Sequence, residues 1–259
     1  MQDLKVAAIQ SSLFWESVDE NLGAFSERIE NIDSDPDLIL LPEMFSTAFS
    51  MNSASLAESM GGKSMSWMAG KAAQTKAVVC GSLIIEEDGQ YYNRLIWMRP
   101  DGTHVHYDKR HLFRMMDEDQ SFSPGSQRIV VGLNGWKICP LVCYDLRFPV
   151  WSRNSDDYDC LLYVANWPEP RREAWRILLR ARAHENQSYV IGLNRVGEDF
   201  NGIAFAGDSV ILDAKGGVIS EADQSTETIV MGTLSYSELE EFRAKFPMQL
   251  DADRFSLNL

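Results

Sequence analysis

The stretch Trp136-Lys-Ile-Cys-Pro-Leu-Val142 runs directly into Cys143-Tyr-Asp-Leu-Arg-Phe-Pro149. Its first half is a mostly apolar strand pattern, and its second half begins where a helix is expected to start. A strand that delivers the chain to a helix is the unit of α/β folds, so the reading extends outward from here. Strand-like runs rich in β-branched and aromatic residues recur at 4–10, 38–41, 77–85, 91–98, 103–107, 135–142, 160–164, 189–194, 209–212 and 229–234. Between them Leu22, Phe25, Ile29 and Ile32 recur at helical spacing, and 64–75 and 173–186 read as further helices. Asp88-Gly89, Pro100-Asp101-Gly102 and Gly216-Gly217 are turn signals between strand-like runs, which predicts antiparallel hairpins within a mixed sheet. The rhythm crosses the midpoint of the chain without a linker, a repeat or a low-complexity tract. One α/β domain spanning 1–259 is therefore expected.

Composition narrows the function classes. With 45% hydrophobic and 24% charged residues the chain can bury a sizeable core. A net charge of −14 repels phosphate backbones and anionic lipid, which argues against nucleic acid or a membrane surface as partner. Eight of the sixteen arginines nevertheless fall between Arg147 and Arg195, either as solvated and paired helix faces or as a local positive field for an anionic substrate. No apolar run reaches the roughly 18 residues of a spanning helix, and residues 1–10 have no signal-peptide pattern, so a cytoplasmic protein is expected. Cys80, Cys139, Cys143 and Cys160 show no disulfide-framework spacing and should be reduced.

Cys143 stands where an exposed nucleophile would, at a strand end beside backbone N–H groups able to hold an oxyanion. Taken alone, a lone cysteine reads more readily as a small core hydrophobe than as a nucleophile. A thiol with a pKa of about 8.5 needs a base or a cation to react at neutral pH. His104, His106, His111 and His184 form no Cys/His protease signature. Glu43 follows the apolar run Leu38-Ile-Leu-Leu-Pro42 and should emerge at a strand end, as general base or as a solvated loop residue. Lys109, in Tyr107-Asp-Lys-Arg-His-Leu-Phe113, supplies a cation for the thiolate and oxyanion, or belongs to a surface basic patch.

Leu41-Pro42-Glu43, Asp108-Lys109-Arg110-His111-Leu112 and Val142-Cys143-Tyr144-Asp145-Leu146-Arg147-Phe148-Pro149 occur in the order and rough separation of the nitrilase superfamily motifs. The chain resembles that superfamily along nearly its whole length, and its Glu-Lys-Cys triad maps onto Glu43, Lys109 and Cys143. The resemblance implies a four-layer α-β-β-α sandwich, a homodimer, and amide hydrolysis through a thioester without metal or cofactor. It also implies a second glutamate ahead of a Pro-Gly pair. Glu118 matches, six residues before Pro124-Gly125, with Asp117 and Asp119 beside it.

The run Cys-Tyr-Asp-Leu-Arg-Phe-Pro and the later Tyr163-Val-Ala-Asn-Trp-Pro168 are similar to the omega-amidase branch. That branch acts on 2-oxoglutaramate and 2-oxosuccinamate; deaminated-glutathione amidases and N-carbamoyl amidohydrolases share the triad and are the alternatives. A binding protein on the same fold is a third reading. An oxyanion held by Lys109 and the Tyr144 N–H is implied, as is an arginine for the substrate carboxylate. Arg171 or Arg172 fits, and so does Arg147 unless it pairs with Asp145. Asn166 is a further substrate contact expected, and Phe45, Phe49 and Trp167 supply apolar walls or belong to the core. The acidic C-terminal helix at 235–246 either joins an interface or caps the sheet.

Overall fold

Along β1 (Leu4–Gln10) the side chains alternate between two surfaces, because successive residues of a strand point to opposite faces. Val6 and Ala8 join one apolar cluster, and Ala7 and Ile9 join another. Both faces are covered, which is why this strand reads as almost continuously apolar.

The computed structural model describes residues 1–155, 157–253 and 255–257. After β1 come helix α1 (Val18–Glu30), β2 (Leu38–Leu40), the short α2 (Ser53–Leu56), α3 (Lys63–Thr75), β3 (Val78–Glu87), β4 (Gln90–Met98) and β5 (His104–Asp108). A short α4 (Glu118–Ser121) leads to β6 (Val131–Leu133), β7 (Trp136–Val142), α5 (Pro149–Ser152), β8 (Cys160–Ala165), α6 (Arg172–Asn186) and β9 (Tyr189–Asn194). The chain ends with β10 (Val196–Glu198), β11 (Ala204–Ala206), β12 (Val210–Leu212), β13 (Val218–Glu221), β14 (Thr228–Leu234) and α7 (Tyr236–Lys245).

Two six-stranded sheets result, ordered β14-β1-β2-β3-β4-β5 and β13-β12-β9-β8-β7-β6, with β10 and β11 as a separate hairpin. In each sheet three strands are parallel, β1-β2-β3 in one and β7-β8-β9 in the other. The remaining pairings are antiparallel, including the hairpins expected at Asp88-Gly89, Pro100-Asp101-Gly102 and Gly216-Gly217. Val6, Leu40, Cys80 and Trp97 of the first sheet share a core with Ile138, Val142, Leu162 and Ile191 of the second. The outer face of the first sheet packs on Leu22, Phe25 and Ile29 of α1 and Met65, Met68 and Ala72 of α3. Trp175, Leu179 and Ala183 of α6 cover the second sheet. Four layers follow, α-β-β-α.

The strand runs read from the sequence all form strands. Four others were not anticipated: β6, β10, β11 and β13 have three or four residues, too few for alternation to register, and β6 and β10 contain glycine. The helix expected from Cys143 is instead a 3₁₀ turn over Cys143–Arg147 followed by α5, because Pro149 can only open a new helix. Leu239, the buried residue of α7, joins the larger apolar cluster, so one side of this helix packs on the body of the sandwich. Among the described residues, no helix is long and apolar enough to cross a membrane.

Candidate active site

The carboxyl ends of β2, β7 and β8 open on one side of the sandwich, where parallel strands leave their loops free to form a site. Glu43 follows β2 and is fully buried. Cys143 directly follows β7 and takes φ +43°, the left-handed region that a non-glycine residue occupies only under constraint. That turn aims the side chain out of the strand direction. Lys109 directly follows β5, 1% exposed, and Glu118 opens α4 at 0%.

Lys109 is the hub. Its ammonium donates to Glu43 Oε1 at 2.8 Å and to Glu118 Oε1 and Oε2 at 2.9 and 2.8 Å. Glu43 Oε2 accepts the Asn166 backbone N–H at 2.8 Å, and the Asn166 side-chain amide donates to the Glu43 carbonyl at 2.5 Å. The Phe113 N–H closes the Glu118 carboxylate at 2.6 Å. Burying three charged groups is tolerable only with pairing this complete.

Burial pushes the Cys143 thiol well above the ordinary thiol range; the Glu43 charge adds to this and Lys109 opposes it. Burial thus favours the thiol form, and the sulfur needs a base to react. Burial also works against the charged form of Lys109, but Glu118 and Glu43 outweigh it and raise the ammonium above its ordinary value. Glu118 is raised by burial, with Lys109 pulling it back and Glu43 adding to the rise. Its partners are all donors, so its geometry is that of an ionised carboxylate.

Beside this cluster lies a cleft of about 530 Å³, counting its open mouth, lined at its base by Lys109, Cys143, Tyr144 and Asn166. Phe49, Trp167, Arg147 and Arg171 form its walls, so the substrate-contact residues expected from the sequence reach it except Arg172 and Phe45, which is buried in the core between the first sheet and its helices. Arg172 turns away into a two-pronged ion pair with Asp208, at 2.9 and 2.7 Å. The Arg147–Asp145 ion pair considered above does not form. Asp145 is taken by the Tyr107 hydroxyl, the His111 N–H and ring, and the Val142 N–H, while Arg147 lies 5.0 Å over the Trp167 ring. The Arg171 guanidinium lies 5.4 Å from the Phe113 ring centre, and one of its nitrogens meets the Met115 sulfur at 2.7 Å.

Sequence reasoning missed two contributors, Asn93 and the hairpin of β10 and β11. Asn93 of β4 donates to Glu43 Oε1 at 2.8 Å and Glu118 Oε1 at 3.1 Å; a lone polar residue inside a strand pattern was the available signal. Asp199, Ile203 and Phe205 reach the cleft from the hairpin of β10 and β11, which no pattern revealed. Gly125 explains the Pro-Gly pair: its N–H donates to the Lys109 carbonyl at 3.0 Å, and a Cβ there would stand 2.0 Å from the Asp108 carbonyl oxygen. Only glycine lets this loop press against the lysine segment.

Comparison with known proteins agrees with this geometry. The family model "Carbon-nitrogen hydrolase" matches residues 5–244. An Escherichia coli K12 protein named omega-amidase YafV is 47% identical over 259 aligned residues, covering 99% of this chain and all of that one. A Bacillus subtilis 2-oxoglutaramate amidase is 33% identical over 94% of this chain and 95% of its own. Among solved structures, the Xanthomonas campestris protein XC1258, described as a CN-hydrolase superfamily protein with an arsenic adduct in its active site, superposes with a TM-score of 0.97 at 41% identity over the full length of both chains. With the four-layer sandwich and the family model covering nearly all of it, the chain belongs to the carbon-nitrogen hydrolases of the nitrilase superfamily.

Proposed function

We propose that residues 1–259 act as one omega-amidase unit, which hydrolyses the terminal amide of 2-oxoglutaramate or 2-oxosuccinamate to the 2-oxo dicarboxylate and ammonia. The observation that carries the reading is the juxtaposition in one cleft of Cys143 against the Glu43–Lys109–Glu118 cluster with two guanidiniums, Arg147 and Arg171, that have no carboxylate partner among the described residues. The names of the E. coli and B. subtilis relatives support the same substrate class.

Glu43 takes the thiol proton as the Cys143 sulfur bonds to the amide carbon. Burial works against a free thiolate, so proton transfer to the base accompanies the attack in this mechanism. Lys109 and the Tyr144 N–H hold the oxyanion. The two Glu118 oxygens can share one ammonium hydrogen, which leaves another for the substrate. As the C–N bond breaks, Glu43 passes its proton to nitrogen and ammonia departs. Glu43 then deprotonates a water that attacks the thioester; the C–S bond breaks, sulfur recovers the proton, and the acid leaves. Phe49 and Trp167 wall the carbon chain, Asn166 fixes Glu43, and Arg171 with Arg147 receives the carboxylate.

Ammonia release from 2-oxoglutaramate, glutamine, a deaminated-glutathione amide and an N-carbamoyl amino acid tests this directly. The 2-oxo amide should turn over fastest, and Cys143→Ala should lose nearly all turnover, because the members of such a unit act together. Faster turnover of the longer amides sinks the substrate assignment, and an active Cys143→Ala sinks the nucleophile. A homodimer in the cytoplasm completes the reading on the family resemblance; light scattering gives the particle mass.

A further inference from the structure

Two carboxylates share one ammonium in this site, and like charges held so closely ordinarily capture a proton between them. Donors without a charge oppose that: the Asn166 and Phe113 N–H groups reach one carboxylate each, and Asn93 reaches both. Asn93 is 1% exposed, and its side-chain NH₂ donates to Glu43 Oε1 at 2.8 Å and to Glu118 Oε1 at 3.1 Å. The carboxylate oxygens accept and so fix the NH₂ end of the amide, and the other end is matched by a donor. The buried Ser82 hydroxyl accepts the Met44 N–H at 2.8 Å and so has its hydrogen free to donate to Asn93 Oδ1, also at 2.8 Å. The Asn93 carbonyl accepts the Lys109 backbone N–H at 3.0 Å. One residue thus touches both carboxylates and the chain segment carrying the ammonium between them.

We propose that Asn93, locked by Ser82, is a positioning residue that holds the Glu43 and Glu118 carboxyl groups in register around Lys109, so that Glu43 is placed to accept the Cys143 proton. The inference rests on the hydrolase reading above. A donor to a carboxylate favours its charged form and lowers its pKa, so losing that donor raises the pKa of the pair and moves the acid limb of any reaction that needs ionised Glu43 to higher pH.

The test is the pH dependence of Cys143 alkylation by iodoacetamide, read by mass spectrometry, alongside steady-state amide hydrolysis, for wild type, Asn93→Ala and Ser82→Ala. In Asn93→Ala the acid limb of alkylation should rise by about one pH unit or more, as loss of a hydrogen bond to a buried carboxylate does. Its kcat should fall at least about tenfold with KM changed less than about threefold, the pattern of a disturbed general base. Ser82→Ala should move both readouts the same way by less. Acid limb and kcat at wild-type values in Asn93→Ala overturn the proposal. If that variant does not fold, an unmoved acid limb in Ser82→Ala overturns it. Absence of selective Cys143 labelling in wild type defeats the hydrolase reading itself, a different result from a labelled wild type whose variants do not shift.

Discussion

Arg171 and Arg147 are neighbours of Cys143 in the cleft, and neither is neutralised by a carboxylate among the described residues, in a chain whose net charge is −14. Arg172, one position along, is fully engaged by Asp208. Sequence spacing could not separate adjacent arginines; the start of α6 separates them, because consecutive residues there point about a quarter turn apart. A guanidinium bound to a carboxylate contributes a charge-assisted pair, so Arg171→Met should raise KM for the 2-oxo amide about tenfold or more, while a neutral short amide is affected little. Steady-state kinetics on both substrates decides it; equal losses on the two would remove Arg171 from the carboxylate site. Glu43, Lys109 and Cys143 were legible one at a time only as weak candidates. Asn93 was not legible, since a buried asparagine in a strand announces a polar partner without saying which.

The turn after β7 is where elements meet. Asp145, 0% exposed, accepts from the Tyr107 hydroxyl at 2.8 Å, the His111 N–H at 3.1 Å, the His111 ring at 2.8 Å and the Val142 N–H at 3.0 Å. Because a carboxylate only accepts, Nδ1 of His111 carries the hydrogen. One side chain therefore ties the nucleophile turn to the end of β5 and the segment that follows it, with Lys109 between Tyr107 and His111. Asp145→Asn keeps the shape but substitutes a donor for one acceptor among four donors. We expect kcat to drop by about tenfold or more and KM to move less, since small misplacements of reacting groups are costly. Circular dichroism establishes that the variant is folded, and a folded variant with wild-type kcat would refute the clamp. Sequence order placed Lys109 after a strand and Cys143 after another. That Asp145 joins the two required the turn's backbone path, which local pattern does not encode.

At the scale of the molecule, the two sheets share one pairing pattern: three parallel strands, one antiparallel strand on one side and two on the other. No repeat was visible in the residues, because a strand needs only an apolar pattern and many sequences supply it. Leu40 of β2 and Ile138 of β7 lie in the core between the sheets. Leu40→Ala and Ile138→Ala should each cost about 2–5 kcal/mol. Each should lower the whole unfolding midpoint within a single transition, because neither sheet covers its inner face without the other. A two-step melt in either variant, by calorimetry or urea titration, would show the sheets to be separable. Residue order alone carried the α/β class, the long strands and helices, the hairpin turns and the motifs bearing Glu43, Lys109 and Cys143, since these follow from local periodicity and turn chemistry. Tertiary structure alone chose Arg171 over Arg172, gave Asp145 its four donors, brought the β10–β11 hairpin to the cleft and set Asn93 between two carboxylates. Those outcomes depend on which strand ends meet when two sheets pack, and residues far apart in the chain acquire partners only there.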